Sequence, residues 1–251
     1  MVPCWSGLPV FGNQDEQEKV RGGIMEDLLN IIGLNIWYRK DNPVIKDLSL
    51  TLSANEVVGL IGLNGAGKTT LINTLSGVHK DYSDSLNFAD RSFKLNRYAV
   101  FSEDASFQYY TFNEYLSHAF AAYGKTAGQN RVNELVEGFG FGEYRRVLIR
   151  DLSTGNKRKV FLITGFALCL PLLLLDEPVN GLDFHSTEYL YLLINDYRQY
   201  GTVMFSSHVL ESICLTADRV LVLENGCISH AFAQEQIDAV QIREALHDTD
   251  S

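Results

Sequence analysis

The sequence predicts an α/β fold on a mostly parallel sheet, with an antiparallel β subdomain and a helical insertion. Three observations carry this. Short apolar runs, Val57 to Ile61, Tyr98 to Phe101, Leu172 to Leu175 and Thr202 to Phe205, recur between helix-like segments, as parallel strands joined by helical crossovers require. The first third instead holds two runs of rough alternation, Leu28 to Tyr38 and Ile45 to Leu52, which read as antiparallel strands. Between Asp104 and Asp151 there is no strong strand pattern and the apolar spacing is helical.

In chain order, residues 1–24 carry Trp5, Gly7, Pro9, Gly12 and a mixed charge run from Asp15 to Arg21, without the basic-then-apolar order of a signal peptide. They read as a poorly ordered extension or leader, and periodic hydrophobicity starts after Met25. The main domain is expected over residues 25–233, with the helical part inserted at about 104–165. That insertion contains Thr111-Phe112-Asn113-Glu114, the Ser/Thr-x-x-Glu form of a capping box. Further on, Arg219 to Leu223 and Cys227 to Ser229 flank Glu224-Asn225-Gly226, and Asn-Gly favours a tight hairpin because both central residues take positive φ. Residues 234–251 read as a polar helix, Gln234 to Leu246, and an acidic tail. No repeat and no long heptad run is present.

Composition narrows the function. At 251 residues and 46% hydrophobic, the chain can bury one substantial core or two smaller ones. Its 21 basic and 31 acidic residues leave a formal net charge of -10, so there is no bulk basic field for a polyphosphate backbone, and nucleic acid is not an expected partner. Cys4, Cys169, Cys214 and Cys227 stand singly, without metal-site or disulfide-scaffold spacing, which fits a reducing compartment. The longest apolar stretch, Phe161 to Leu175, is broken by Thr164, Gly165 and Pro171 and is too short to cross a bilayer.

The chemistry is concentrated in Gly62-Leu63-Asn64-Gly65-Ala66-Gly67-Lys68-Thr69-Thr70, between the strand Val57 to Ile61 and the helical pattern Leu71 to Leu75. This is a P-loop, so the α/β core is expected to be that of a P-loop NTPase. Its glycines let backbone N–H groups wrap a phosphate, and the helix beginning near Lys68 presents unpaired amides and its positive dipole end to the same anion. Lys68 adds charge at the β/γ-phosphates and Thr69 offers a hydroxyl to Mg²⁺. A nucleoside triphosphate site also needs a carboxylate for the metal and a group to orient water. Asp176 and Glu177, ending the apolar run Leu172 to Leu175, supply them: Asp176 for Mg²⁺ through water, Glu177 as general base.

With these motifs in place, the chain resembles the nucleotide-binding subunits of ATP-binding cassette transporters from about Leu28 to Ser229. The discriminating run is Leu152-Ser153-Thr154-Gly155-Asn156-Lys157-Arg158, which resembles the family signature Leu-Ser-Gly-Gly-Gln with departures at Thr154 and Asn156. The resemblance implies that one subunit's Ser153, Thr154, Gly155 and Asn156 close over the γ-phosphate on another subunit's P-loop. It makes Asp183, in Pro178-Val179-Asn180-Gly181-Leu182-Asp183, the aspartate that contacts the opposite subunit and couples the two sites. It makes His208, after Ser206 and Ser207, the switch histidine on the γ-phosphate. Trp37 and Tyr38 fall where the family sets an aromatic ring on adenine, and Tyr38 is the preferred of the two.

One position departs from the pattern. Where the family has a glutamine touching Mg²⁺ and the membrane partner, this chain has Ser102-Glu103-Asp104; Glu103 is the expected substitute, with Gln108 a weaker alternative. The cofactors implied are ATP and Mg²⁺. The partners implied are integral membrane subunits and a second cassette, a homodimer in preference to a heterodimer, at the cytoplasmic face of the cell membrane. Aromatic residues crowd this region (Phe101, Phe107, Tyr109, Tyr110, Phe112, Tyr115), as either a partner-docking surface or the core of the helical insertion. Glu103, the threonine in the signature and the short chain resemble bacterial exporters of peptides, drugs or bacteriocins. The alternative function is a non-hydrolysing half of a heterodimeric pair.

Overall fold

The computed structural model describes residues 27–83 and 95–247; the expected extension over residues 1–24 and the end of the acidic tail lie outside them. Two strands, β1 (Asp27–Arg39) and β2 (Asn42–Ser53), pair antiparallel as a separate sheet. Alternation fixes their inner face, where Ile31, Leu34, Ile36, Ile45, Leu48, Leu50 and Leu52 are buried.

The main sheet has six strands. In chain order these are β3 (Val57–Ile61), β4 (Arg97–Val100), β5 (Leu172–Leu175), β6 (Thr202–Ser206), β7 (Arg219–Glu224) and β8 (Cys227–Ala233). In space the order is β4-β5-β6-β3-β7-β8, parallel throughout except for β7 with β8. The β7–β8 turn has Asn225 at φ 48° and Gly226 at φ 82°, as expected. Every residue of β3, β5 and β6 is buried, which fits strands covered on both faces.

Alternate residues of each strand feed two cores. On one face Val58, Leu60, Leu172, Leu174, Met204 and Leu221 pack against β1, β2 and helix α1 (Lys68–Ser76). On the other, Val57, Leu173, Leu175, Val203, Phe205 and Val220 pack against the helices that follow β4, β5 and β6. The insertion between β4 and β5 comprises α2 (Phe112–Ala122), α3 (Gln129–Gly138) and α4 (Thr154–Leu168). The remaining helices are α5 (Phe184–Asp196), α6 (Leu210–Thr216) and α7 (Ala239–His247).

The capping box forms at α2: Thr111 N donates to Glu114 Oε2 at 2.8 Å, and Glu114 N donates to Thr111 Oγ1 at 3.4 Å. Two expected boundaries move. Helix α4 continues past residue 165 because Thr164 bonds back to Val160 O at 2.8 Å and Gly165 leaves room for the Tyr98 ring, so neither breaks the helix. The last helix begins at Ala239, not Gln234, because Asp238 Oδ1 accepts from Val240 N at 2.7 Å and Gln241 N at 3.1 Å, while Gln234–Gln236 form a single 3₁₀ turn. The aromatic cluster divides: Phe112 and Tyr115 are core, while Phe107, Tyr109 and Tyr110 are exposed. Among the described residues no helix is long and apolar enough to cross a membrane.

Candidate nucleotide-binding and hydrolysis site

The site is built at the C-terminal ends of β3, β5 and β6, which are neighbours in the sheet. From β3 the chain enters the glycine loop and then α1. Two glycines there are dictated by space: a Cβ on Gly62 would fall 2.3 Å from Leu223 O, and one on Gly67, at φ 108°, would fall 2.7 Å from Ile45 Cδ1. Lys68, the first residue of α1, is buried, and its Nζ donates to Gly62 O at 2.7 Å and Leu63 O at 3.3 Å. Burial pushes its pKa down, and the nearby charges of Glu177 and Asp176 oppose that. The loop thus folds a cation against its own carbonyls, beside the unpaired amides of a helix start.

The acidic pair sits across from it. Asp176 is fully buried and satisfied on both oxygens: Thr69 Oγ1 donates to Oδ2 at 2.9 Å and Ser206 Oγ donates to Oδ1 at 2.7 Å. Ser206 Oγ in turn accepts from Glu177 N at 2.9 Å. Glu177 adopts left-handed backbone geometry, φ 45°, costly for a residue with a side chain. Its carbonyl accepts from Arg158 Nη1 at 2.7 Å, and Arg158 also donates to Asp176 O at 3.3 Å and to Ser102 O. Burial lowers the Arg158 pKa, countered by Asp176 and Glu177. The Glu177 carboxylate faces His208 Nδ1, 3.4 Å from Oε2, and accepts from the Asn180 amide on the same oxygen.

At the edge, Tyr38 is 60% exposed while Trp37 is half-buried, so it is the Tyr38 ring that stands clear for a flat ligand. The Tyr38 hydroxyl lies 3.4 Å from Thr70 Oγ1, and its ring meets His79 edge-on at 4.8 Å. His79 Nε2 must carry a proton, because it bonds to two carbonyl oxygens, Trp37 O at 3.0 Å and Asp81 O at 3.2 Å.

The signature residues lie elsewhere. Ser153 caps α4, accepting from Asn156 N at 3.3 Å. Ser153, Gly155, Asn156, Lys159, Gly181 and Asp183 line a hollow of about 470 Å³ that shares no residue with the hollow of about 330 Å³ beside Asn64, Gly65 and Ala66. A Cβ on Gly155 would fall 2.2 Å from Gly181 O, so this helix start is pressed against the segment after Glu177. Asp183 caps α5, accepting from Ser186 N at 2.8 Å, and pairs with Lys159 Nζ at 2.8 Å. The Lys159 hydrogen bond first, and Ser186 second, hold its carboxyl well below the usual carboxylate range.

A family model described as ABC transporter matches residues 45–180, more than half of the chain. The chain belongs to the ABC transporter ATP-binding family. AlbC of Bacillus subtilis (strain 168), named for ABC transporter ATP binding, is 36% identical over 211 residues, covering 79% of this chain and 88% of AlbC. The methionine import ATP-binding protein MetN of Clostridioides difficile (strain 630) is 29% identical over 225 residues, covering 84% of this chain and 70% of MetN. Among solved structures, an ATP-binding subunit of an ABC transporter superposes with a TM-score of 0.74 at 25% identity, over 87% of this chain and 94% of that one. Cassettes of this family bind ATP, typically with Mg²⁺, are generally ATPases, pair with one another and act with membrane subunits.

Within this ABC cassette, Lys68, Thr69, Asp176, Glu177 and His208 gather in one place with Tyr38 at the rim, and Ser153, Gly155, Asn156 and Asp183 gather in another. Glu103 stands exposed in a third hollow of about 210 Å³ with Thr154, Lys157 and Arg158, and no hydrogen bond joins it to Thr69 or Asp176. Gln108 is also exposed, on a turn whose carbonyl takes Arg150 N at 3.0 Å. Three contributors went unread in the sequence: Arg158, Asn180 and Ser206. Ser206 alone had a usable signal, a hydroxyl at the end of a buried strand next to the acidic one.

Proposed function

We propose that this chain is the ATP-hydrolysing motor of an exporter whose channel is formed by separate integral membrane subunits, on whose cytoplasmic face it sits. The observation that carries the reading is the convergence of Thr69 and Ser206 on Asp176 beside a Glu177–His208 pair, directly across from the P-loop lysine. Loop amides and Lys68 bind the β/γ-phosphates, and Tyr38 stacks on adenine. Glu177 takes the proton of the attacking water, and His208 hydrogen-bonds the γ-phosphate and fixes that water's position.

Mg²⁺ fits the donor set, since Thr69 Oγ1 and Asp176 Oδ2 are hard oxygens 2.9 Å apart, and in this reading the Glu103 carboxylate is a further ligand. When bound, the ion neutralises phosphate charge. That the two hollows share no lining residue supports a composite site, in which Ser153, Thr154, Gly155 and Asn156 of a second copy close over the nucleotide and Asp183 lies at the junction. Hydrolysis then opens the pair. Export rests on the carboxylate at Glu103 and the Thr154 signature; MetN is named for import, so transport by the chain with its membrane subunits decides direction.

The test is Mg²⁺-dependent ATP hydrolysis by the purified chain over a wide protein concentration range, with Glu177→Gln as control. Activity per molecule that rises with concentration and vanishes in the variant supports two identical chains completing the site. Turnover by Glu177→Gln at the wild-type rate would falsify the base assignment. ATP binding without turnover at any concentration supports the non-hydrolysing reading instead.

A further inference from the structure

Glu177 is fixed at three backbone or side-chain points by residues already described, and Asn180 supplies a fourth that acts on the carboxylate itself. The Asn180 Nδ2 group donates to Glu177 Oε2, the same oxygen that lies 3.4 Å from His208 Nδ1. The amide must present its nitrogen, because its oxygen would set two acceptors against each other. Asn180 N also donates to Glu177 O at 3.2 Å, closing a turn over Pro178 and Val179. The next residue, Gly181, is braced on Gly155 of α4. Asn180 therefore sits on backbone held at both ends, and little freedom remains to be lost when its amide is engaged. Among the described residues no hydrogen bond reaches Glu177 Oε1.

We propose that Asn180 is a positioning residue: its amide turns the Glu177 carboxylate so that Oε1 is the oxygen presented to the attacking water. This rests on the reading of Glu177 as the base. Asn180 touches neither nucleotide nor phosphate in this role. It acts by restricting Glu177 to one orientation, so its loss lowers the rate of the chemical step and leaves nucleotide affinity alone.

The test compares steady-state MgATP turnover and thermal midpoints of the wild-type chain, Asn180→Ala, Asn180→Asp and Glu177→Gln. Expected is kcat lowered about tenfold by Asn180→Ala, the worth of one hydrogen bond to a charged group, with KM and thermal midpoint unchanged. Asn180→Asp keeps the size but sets a carboxylate against Glu177, so kcat falls further. A residue present only for packing would tolerate aspartate at least as well as alanine. Wild-type kcat in both Asn180 variants, with Glu177→Gln inactive, overturns the proposal and leaves the base reading standing; normal turnover by Glu177→Gln overturns both. A readout independent of turnover is the Asn180 side-chain amide resonance, expected to move upfield in Glu177→Gln. No movement overturns the contact.

Discussion

Arg158 Nη1 donates to the carbonyl of Glu177 at 2.7 Å, from a side chain that is 6% exposed. The same guanidinium reaches Asp176 O and Ser102 O, so one fork from the second turn of α4 joins the ends of β4 and β5. Arg158→Ala is expected to strand these carbonyls and cost about 2–3 kcal/mol of unfolding free energy. Arg158→Lys, which keeps the charge but not the planar fork, should recover only part of it. Urea unfolding midpoints of the three proteins check this, and equal midpoints would remove the argument.

Lys68 is aimed by two loop carbonyls at the place where helix amides are unpaired. Lys68→Ala should weaken ATP binding by roughly tenfold or more, since a charge-assisted contact to phosphate is lost. Fluorescent-nucleotide titration measures it. Unchanged affinity would mean that Lys68 has only a structural task.

Gly155 approaches Gly181 more closely than any side chain permits, and the atom in the way is backbone. Gly155→Ala must displace either the start of α4 or the segment after Glu177, at an expected cost of about 1–3 kcal/mol. The thermal midpoint should fall accordingly. A midpoint unchanged in Gly155→Ala would show that the contact yields freely.

Asp183 gives a pH signature. Its folded pKa is depressed by Lys159 and then Ser186, so the stabilisation is complete above the unfolded carboxylate value, about 3.9, and is lost as pH falls through the lower folded value. Wild type should therefore exceed Asp183→Asn in stability at neutral pH, and the gap should close only below about pH 4. Unfolding free energies at a series of pH values test this. A gap that stays constant on acidification would exclude the ion pair as its source.

The strands that frame the site were legible because they are buried on both faces: Val57–Ile61 and Leu172–Leu175 are unbroken apolar runs whose ends coincide with the structural ends. The glycine loop was legible because its spacing is a backbone requirement. Strand order was not, since β5, β6 and β3 become neighbours through crossovers that no local pattern encodes. Arg158 and Asn180 left no trace either. Each acts through hydrogen bonds to Glu177 and its neighbours, and single polar contacts have no period in the sequence. The preference for Tyr38 over Trp37 had no local pattern behind it, because the register of β1 shifts at Trp37 and strict alternation fails there.

The Ser206 hydroxyl gives the acidic pair a polarity. Because an aspartate carboxylate can only accept, the hydroxyl proton is committed to Asp176, and its lone pair must then face the Glu177 N–H. The three groups form a one-way chain whose arrow runs from Glu177 to Ser206 to Asp176. A carboxamide at 176 could donate as well as accept, and the arrow would lose its definite direction. Alanine at 206 would cut the chain, leaving the Glu177 amide without the acceptor that steadies its left-handed turn.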